Sequence, residues 1–167
     1  MNYTPFAPLE TPRFAHRKPL LIAGLRRHFS TGALHEIPLL WRDFAQRRAR
    51  IPGAVGHTAY GLVIHSAHAA GSVEYLAAVE VASLAALPDE FNSKSIPAHQ
   101  YAIFPHRGHV STLKHTMNAI WNEWLPTSGR VVAHPDADSP SMIEYYGEDF
   151  DPEAGLGAIE VWLPIKI

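Results

Sequence analysis

Apolar residues recur along this chain in two distinct periods, and the two periods divide it into strands and helices. Leu20 to Ser30, Thr58 to Ser66, Val73 to Leu84, Gln100 to Pro105, Met142 to Tyr146 and Ala158 to Ile165 are short, strongly apolar runs bounded by Gly, Pro, Asp or Ser, which predicts strands. One more strand is expected over Pro12 to Arg17. Ile37, Leu40, Trp41 and Phe44 instead fall at i, i+3, i+4 and i+7, which predicts a helix from about Glu36 to Arg48, with Pro38 tolerated in its first turn. Ile51-Pro52-Gly53 stops it. A second stripe, Leu113, Met117, Ile120, Trp121 and Trp124, predicts a helix from Ser111 as N-cap to Leu125, ended by Pro126-Thr127-Ser128-Gly129. Ala69-Ala70-Gly71 is the expected turn between the strands at 58–66 and 73–84.

The same order of elements occurs twice. A shift of about 80 residues places Arg27 on Arg107, His35 on His115, Trp41 on Trp121, Arg50 on Arg130, and Ala78-x-Glu80-Val81 on Ala158-x-Glu160-Val161. Tryptophan is rare, so its coincidence carries more weight than the others. The expected fold is therefore α+β, a duplicated β-α-β-β module with pseudo-two-fold symmetry and one main helix per module. The first copy covers about residues 12–84, a linker marked by Pro88, Asn92, Ser93 and Pro97 covers 85–98, and the second copy covers 99–167. One helix covers only one face of a small antiparallel sheet. The uncovered faces are then expected to meet, either as a solid core or as a central groove.

Composition narrows the function classes. With 47% hydrophobic and 18% charged residues in 167, the chain matches a globular protein that folds by burial. Cysteine is absent, which excludes a disulfide framework, a thiolate metal site and a cysteine nucleophile, and leaves the cytoplasm as the expected compartment. No apolar run reaches membrane-spanning length, so no membrane role is expected. Residues 1–88 hold nine Lys and Arg against five Asp and Glu, whereas 89–167 hold five against eleven. The cations of the basic half cluster at Arg26-Arg27 and Arg47-Arg48-x-Arg50, near a helix end and without a reading helix, so nucleic-acid binding is not expected. His65-x-x-His68 and His106-x-x-His109 lack an evident third ligand, and no metal or cofactor is expected.

Strand alternation picks out candidate chemistry. Ile159, Val161, Leu163 and Ile165 alternate with Glu160, Trp162, Pro164 and Lys166, so an aliphatic face suits the helix and a Glu160-Trp162 face points away from it. In the first copy Val79 and Val81 alternate with Glu80 and Ala82, which places a second carboxylate on the uncovered side. A carboxylate beside an indole can hold a cationic or amphipathic ligand by ion pairing and cation–π attraction. The same pair can raise a glutamate's pKa for acid–base work, and a solvated edge-strand carboxylate fits the pattern as well. Tyr101, Phe104 and Tyr145 lie on strands and are candidates to line the same cavity, with core packing as the other reading, whereas Trp41 and Trp121 lie on helix stripes and read as core.

Tyr101-Ala-Ile-Phe-Pro-His-Arg-Gly108, Ala119-Ile-Trp-Asn-Glu-Trp-Leu-Pro126-x-Ser-Gly129, Ile143-Glu-Tyr-Tyr146 and Ile159-Glu-Val-Trp-Leu-Pro-Ile-Lys166 together resemble the GyrI-like family, the effector-binding domain of many AraC-type regulators, which also occurs as free-standing proteins. The resemblance is carried by residues 99–167; residues 12–84 match mainly by repeat position and Ile22-Ala-Gly-Leu-Arg26. It implies a duplicated fold with a small-molecule groove between copies, a cavity glutamate at Glu160 and an aromatic at Trp162. Only about a dozen residues precede the first expected strand, so a stand-alone binding domain without a helix-turn-helix is expected. Its ligand is expected to be apolar or aromatic, with a cation as one option, held by Glu160, Trp162, Tyr145, Phe104, Tyr101 and Glu80. The resemblance also implies two alternatives: a hydrolase of cyclopropane-type natural products using Glu160, and a protein binder of the gyrase-inhibitor kind. A regulator, gyrase or a second copy of the chain as a homodimer would then be the protein partner.

Overall fold

The computed structural model describes residues 8–65, 72–133 and 139–166. Its strands are β1 (Arg13–Arg17), β2 (Leu20–Ser30), β3 (Ala59–His65), β4 (Ser72–Glu80), β5 (Asn92–Ile96), β6 (His99–His106), β7 (Met142–Tyr146) and β8 (Ile159–Pro164). All pair antiparallel in one eight-stranded sheet of order β1-β6-β8-β7-β3-β4-β2-β5. Exchanging β1–β4 with β5–β8 reverses this order onto itself, so a pseudo-two-fold axis passes between β3 and β7. The halves do not build separate small sheets, because β3 and β7 pair directly across the axis, Leu62 opposite Ile143.

The linker expected at 85–98 contains β5, the two-fold counterpart of β1. Each of these strands crosses to the other half: β1 pairs with β6, and β5 with β2. Asn92-Ser-Lys-Ser-Ile96 has no apolar run to announce a strand, since only Ile96 is buried and the backbone hydrogen bonds to β2 hold the rest. The pairing also corrects the uniform shift of 80. Leu25 pairs with Ala77, yet Pro105, eighty residues after Leu25, pairs with Glu160 rather than with Gly157. An odd offset reverses strand faces, so Ala23 and Leu25 pack under the first helix, whereas Ala102 and Phe104 pack under the second.

Helix α1 (Ile37–Arg47) begins after a 3-10 turn over Thr31–Glu36, with Pro38 in its first turn, where a missing N–H leaves no bond unmade. It buries Leu40 and Phe44 against Ala23, Leu25, Tyr75, Ala77 and Val79. Burying each such large side chain contributes about 1.5–3 kcal/mol. Helix α2 (Leu113–Ala119) starts later than expected. A 3-10 turn over Val110–Thr112 precedes it, and Ser111 is not the cap; the His109 side chain accepts the Ser111 N–H at 3.1 Å instead. α2 runs through a π-helical turn, Ile120–Trp124, into a last short turn, Leu125–Ser128, and Gly129 closes it at φ 72°, a left-handed conformation that glycine adopts without strain. The wide π turn keeps Ile120, Trp121 and Trp124 on the side that packs on Ala102, Phe104, Val161 and Leu163. Trp121 donates to Met142 Sδ at 2.9 Å. Trp41 joins both helix-side clusters.

Among the described residues no helix packs on the opposite face of the sheet, yet Leu62, Leu76, Ile103 and Ile143 on it are fully buried. One cluster runs from Ile22 and Ile96 at one end to Tyr101 and Ile103 at the other. The sheet therefore curls over this face and forms its concave side. The Ala69–Gly71 turn, His68 and the side chain of His65 lie outside the described residues. No helix among the described residues is long and apolar enough to cross a membrane.

Candidate functional site

Along β8 the pleat sends Ile159, Val161 and Leu163 to the helices and Glu160 and Trp162 to the concave face. Tyr145 of β7 pairs with Glu160, and Tyr60 of β3 pairs in turn with Tyr145, so three neighbouring strands aim rings at one point. Tyr145 stacks on Trp162 with ring centroids 5.4 Å apart and planes 19° apart. Tyr60 stands edge-on to both, 5.5 Å from Tyr145 and 5.9 Å from Trp162, and Tyr101 of β6 lies 5.5 Å from Trp162. These separations suit attraction between ring quadrupoles.

Both carboxylate oxygens of Glu160 are engaged. Trp162 Nε1 donates to Oε1 at 3.0 Å, and Arg13 Nη1 donates to Oε2 at 2.9 Å. A second arginine of β1 completes the cluster, with the Arg17 guanidinium carbon 4.9 Å from the Trp162 ring centroid. β1 has its own period of two: Arg13, Ala15 and Arg17 share the concave face, while Phe14 points to the other side, over which Arg130 lies at 4.5 Å. Burial pushes the Tyr60 phenol up to about 12, and the Glu80 charge adds to this; burial alone raises Tyr101 to about 12. Tyr145 is raised by burial first and by the Glu160 charge second. All of these hydroxyls are therefore neutral donors near neutral pH.

Of the six residues expected to form the site, four meet. Glu160, Trp162, Tyr145 and Tyr101 share the concave face in direct or neighbouring contact. Glu80 lies on that face and acts on Tyr60 through its charge rather than by touching Glu160. Phe104 does not join them. It packs edge-on against Trp124, centroids 5.0 Å apart, in the core beneath α2, because the pleat of β6 turns Tyr101 and Ile103 to one face and Phe104 to the other. Tyr60, Arg13 and Arg17 were missed. The alternation of Arg13-Phe-Ala-His-Arg17 was visible, but nothing local says that β1 docks beside β6.

A second polar cluster lies on the helix side of the same strands. Glu144 of β7 is 7% exposed and accepts from Tyr75 Oη at 2.6 Å and Tyr146 Oη at 2.7 Å; Trp41 Nε1 donates to Tyr75 Oη at 3.0 Å. Burial raises the Glu144 pKa, and the two phenol hydrogen bonds oppose the rise. Gly61, paired with Glu144, leaves the room for this, since a Cβ there would collide with Tyr75 Oη. Tyr75, Tyr146 and Glu144 are each less than a tenth exposed, and Trp41 beside them is partly buried.

A cleft of about 800 Å3 along α2 is lined by Glu10, His106, Arg107, His109 and His115 among others, with no Phe, Tyr or Trp among the described residues. Volume points to this cleft and chemistry to the concave face. The latter is the better candidate, because recognition of organic ligands rests on apolar and aromatic walls with a few placed polar groups. His106 bonds to Thr116 Oγ1 at 2.6 Å and the His109 carbonyl at 3.0 Å, which commits its ring to the fold.

Known proteins share this architecture. The structure of SAV2435 bound to tetraphenylphosphonium superimposes with a TM-score of 0.72 at 18% identity over 94% of each chain. The C-terminal domain of EcmrR superimposes with a TM-score of 0.68 at 13% identity, over 95% of this chain and 98% of that one. By sequence the chain is 25% identical over 158 residues to the transcriptional regulator BrlR of Pseudomonas aeruginosa, covering 92% of this chain but 54% of the regulator. The chain thus spans about half the length of that relative. Residues 10–166 match the model of the GyrI-like small molecule binding domain, and the chain belongs to that family.

Proposed function

We propose that the protein binds a bulky aromatic cation on the concave face, against Trp162 and Tyr145, with Glu160 as counter-charge. The observation that carries this reading is the convergence of Tyr60, Tyr101, Tyr145 and Trp162 on a carboxylate at the junction of the two halves. Ring faces attract a cation within about 6 Å of their centroids, and a desolvated site strengthens that attraction. The phosphonium carried by the structurally similar SAV2435 belongs to this ligand class. On this reading the domain senses or sequesters its ligand.

The test is quenching of tryptophan fluorescence by tetraphenylphosphonium and by neutral triphenylphosphine oxide. Glu160→Gln is expected to weaken the cation about tenfold and the neutral compound little. Equal weakening of both rejects recognition of the charge.

A further inference from the structure

The aromatic cluster already holds a cation, and the chain itself supplies it. Arg17 places its guanidinium carbon 4.9 Å from the Trp162 centroid, and its charge also acts on Tyr60 and Tyr145. β1 and β3 are four inter-strand steps apart, about 19 Å in a flat sheet, so this reach depends on the curl of the sheet. Arg17 forms no ion pair with a carboxylate among the described residues, and its Nε–H is buried without an acceptor. Burying an N–H in this way opposes the attraction to the ring, so the seat is occupied but weakly held.

The strand that carries Arg17 is also loosely attached. β1 is five residues long, and among the described residues it pairs only with β6 and ends the sheet. Its second tie on the concave face is the Arg13–Glu160 bond, whose arginine side chain is 51% exposed. Ion pairs of that exposure hold little.

Resting on the binding reading above, we infer that Arg17 is a resident competitor for the cation seat on Trp162 and thereby determines which ligands the site accepts. A tethered guanidinium is present at an effective concentration in the millimolar range. It is planar and weakly hydrated, so it stacks better than a small ammonium ion, which keeps its water. Small hydrophilic cations cannot displace it. A ligand succeeds only if its charge is spread over, or enclosed by, aromatic surface that also covers Tyr145 and Tyr60. Its entry moves Arg17 off Trp162 and draws on the hold of β1. The selected class is the bulky, poorly hydrated aromatic monocation.

Tetraphenylphosphonium and tetraphenylborate, nearly the same in shape and opposite in charge, test this in the full chain by tryptophan quenching. Arg17→Ala is expected to tighten the phosphonium about tenfold and to leave the borate unchanged or weaker. Arg17→Lys, which keeps a charge but loses the planar fork, is expected to fall between the two, and its thermal unfolding serves as a check on folding. A phosphonium affinity that is unchanged or lower in Arg17→Ala overturns the inference. So does an equal gain for both ions, which would mean that Arg17 only fills space. If neither protein binds the phosphonium at all, the binding reading fails and takes this inference with it, whereas equal binding by both removes only the competitor.

Discussion

Glu144 and Glu160 lie on adjacent paired strands but on opposite faces of one sheet, and the fold treats them oppositely. Glu160 is 18% exposed at its side chain and is met by a full positive charge from Arg13 and by the Trp162 N–H. Glu144 is sealed in the core and met only by two phenol hydroxyls. A buried carboxylate without a cation favours its neutral form, and its raised pKa reflects this. The difference separates a carboxylate that organises the helix-side core from one paired with a half-exposed arginine, which the proposed binding assigns to the ligand.

The largest effect expected from this comparison is on the helix side. Glu144→Ala removes the acceptor of two buried hydroxyls, each of which costs about 1–3 kcal/mol when unsatisfied, so the unfolding free energy should fall by roughly 3 kcal/mol in urea denaturation. A loss below about 1 kcal/mol would break the assignment of Glu144 as the organiser of the network.

Glu144→Gln keeps an acceptor but cannot ionise. Because the folded protein holds the Glu144 proton more tightly than the unfolded chain, the stability this gives is fully present below the ordinary carboxylate pKa of 4.5 and is lost as pH rises through the raised folded value. Unfolding measured across that window should slope downward with pH in the wild type and less steeply in Glu144→Gln. Equal slopes would locate the pH dependence elsewhere.

The smallest expected effect lies on the concave side. Arg13→Ala breaks the ion pair to Glu160, but with the arginine half exposed the change in unfolding free energy should stay within about 0.5 kcal/mol. A larger loss would make β1 a structural strut rather than a loosely held edge, and would weaken the contrast between the faces.

Much of this was legible in the sequence, for a local reason. The period of two in Ile159 to Lys166 separated Glu160 and Trp162 from the helix-side core without knowledge of the partner strands, and the helix stripes placed Leu40, Phe44, Ile120 and Trp124 toward that core. Phe104 was misplaced because the uniform shift of 80 and the short run Tyr101 to Pro105 do not state which alternate set faces the helix; the β6–β8 register decides it. The strand β5 was read as linker because an edge strand held by backbone bonds needs no apolar pattern. Glu144 passed unnoticed within Ile143-Glu-Tyr-Tyr146, since the tyrosine that holds it from outside that motif, Tyr75, is 69 residues away.

The sequence by itself determined the order of the elements other than β5, the apolar face of each helix and the side of β8 that carries the carboxylate and indole, because these follow from the pitch of a helix and the pleat of a strand. Only the tertiary structure decided what meets that indole. Pairing β1 with β6 brings Arg13 to Glu160, and the curl of the joined sheet carries Arg17 onto Trp162 and within range of Tyr60. Strand neighbours and sheet curvature are set by contacts between distant segments, which local periodicity does not encode.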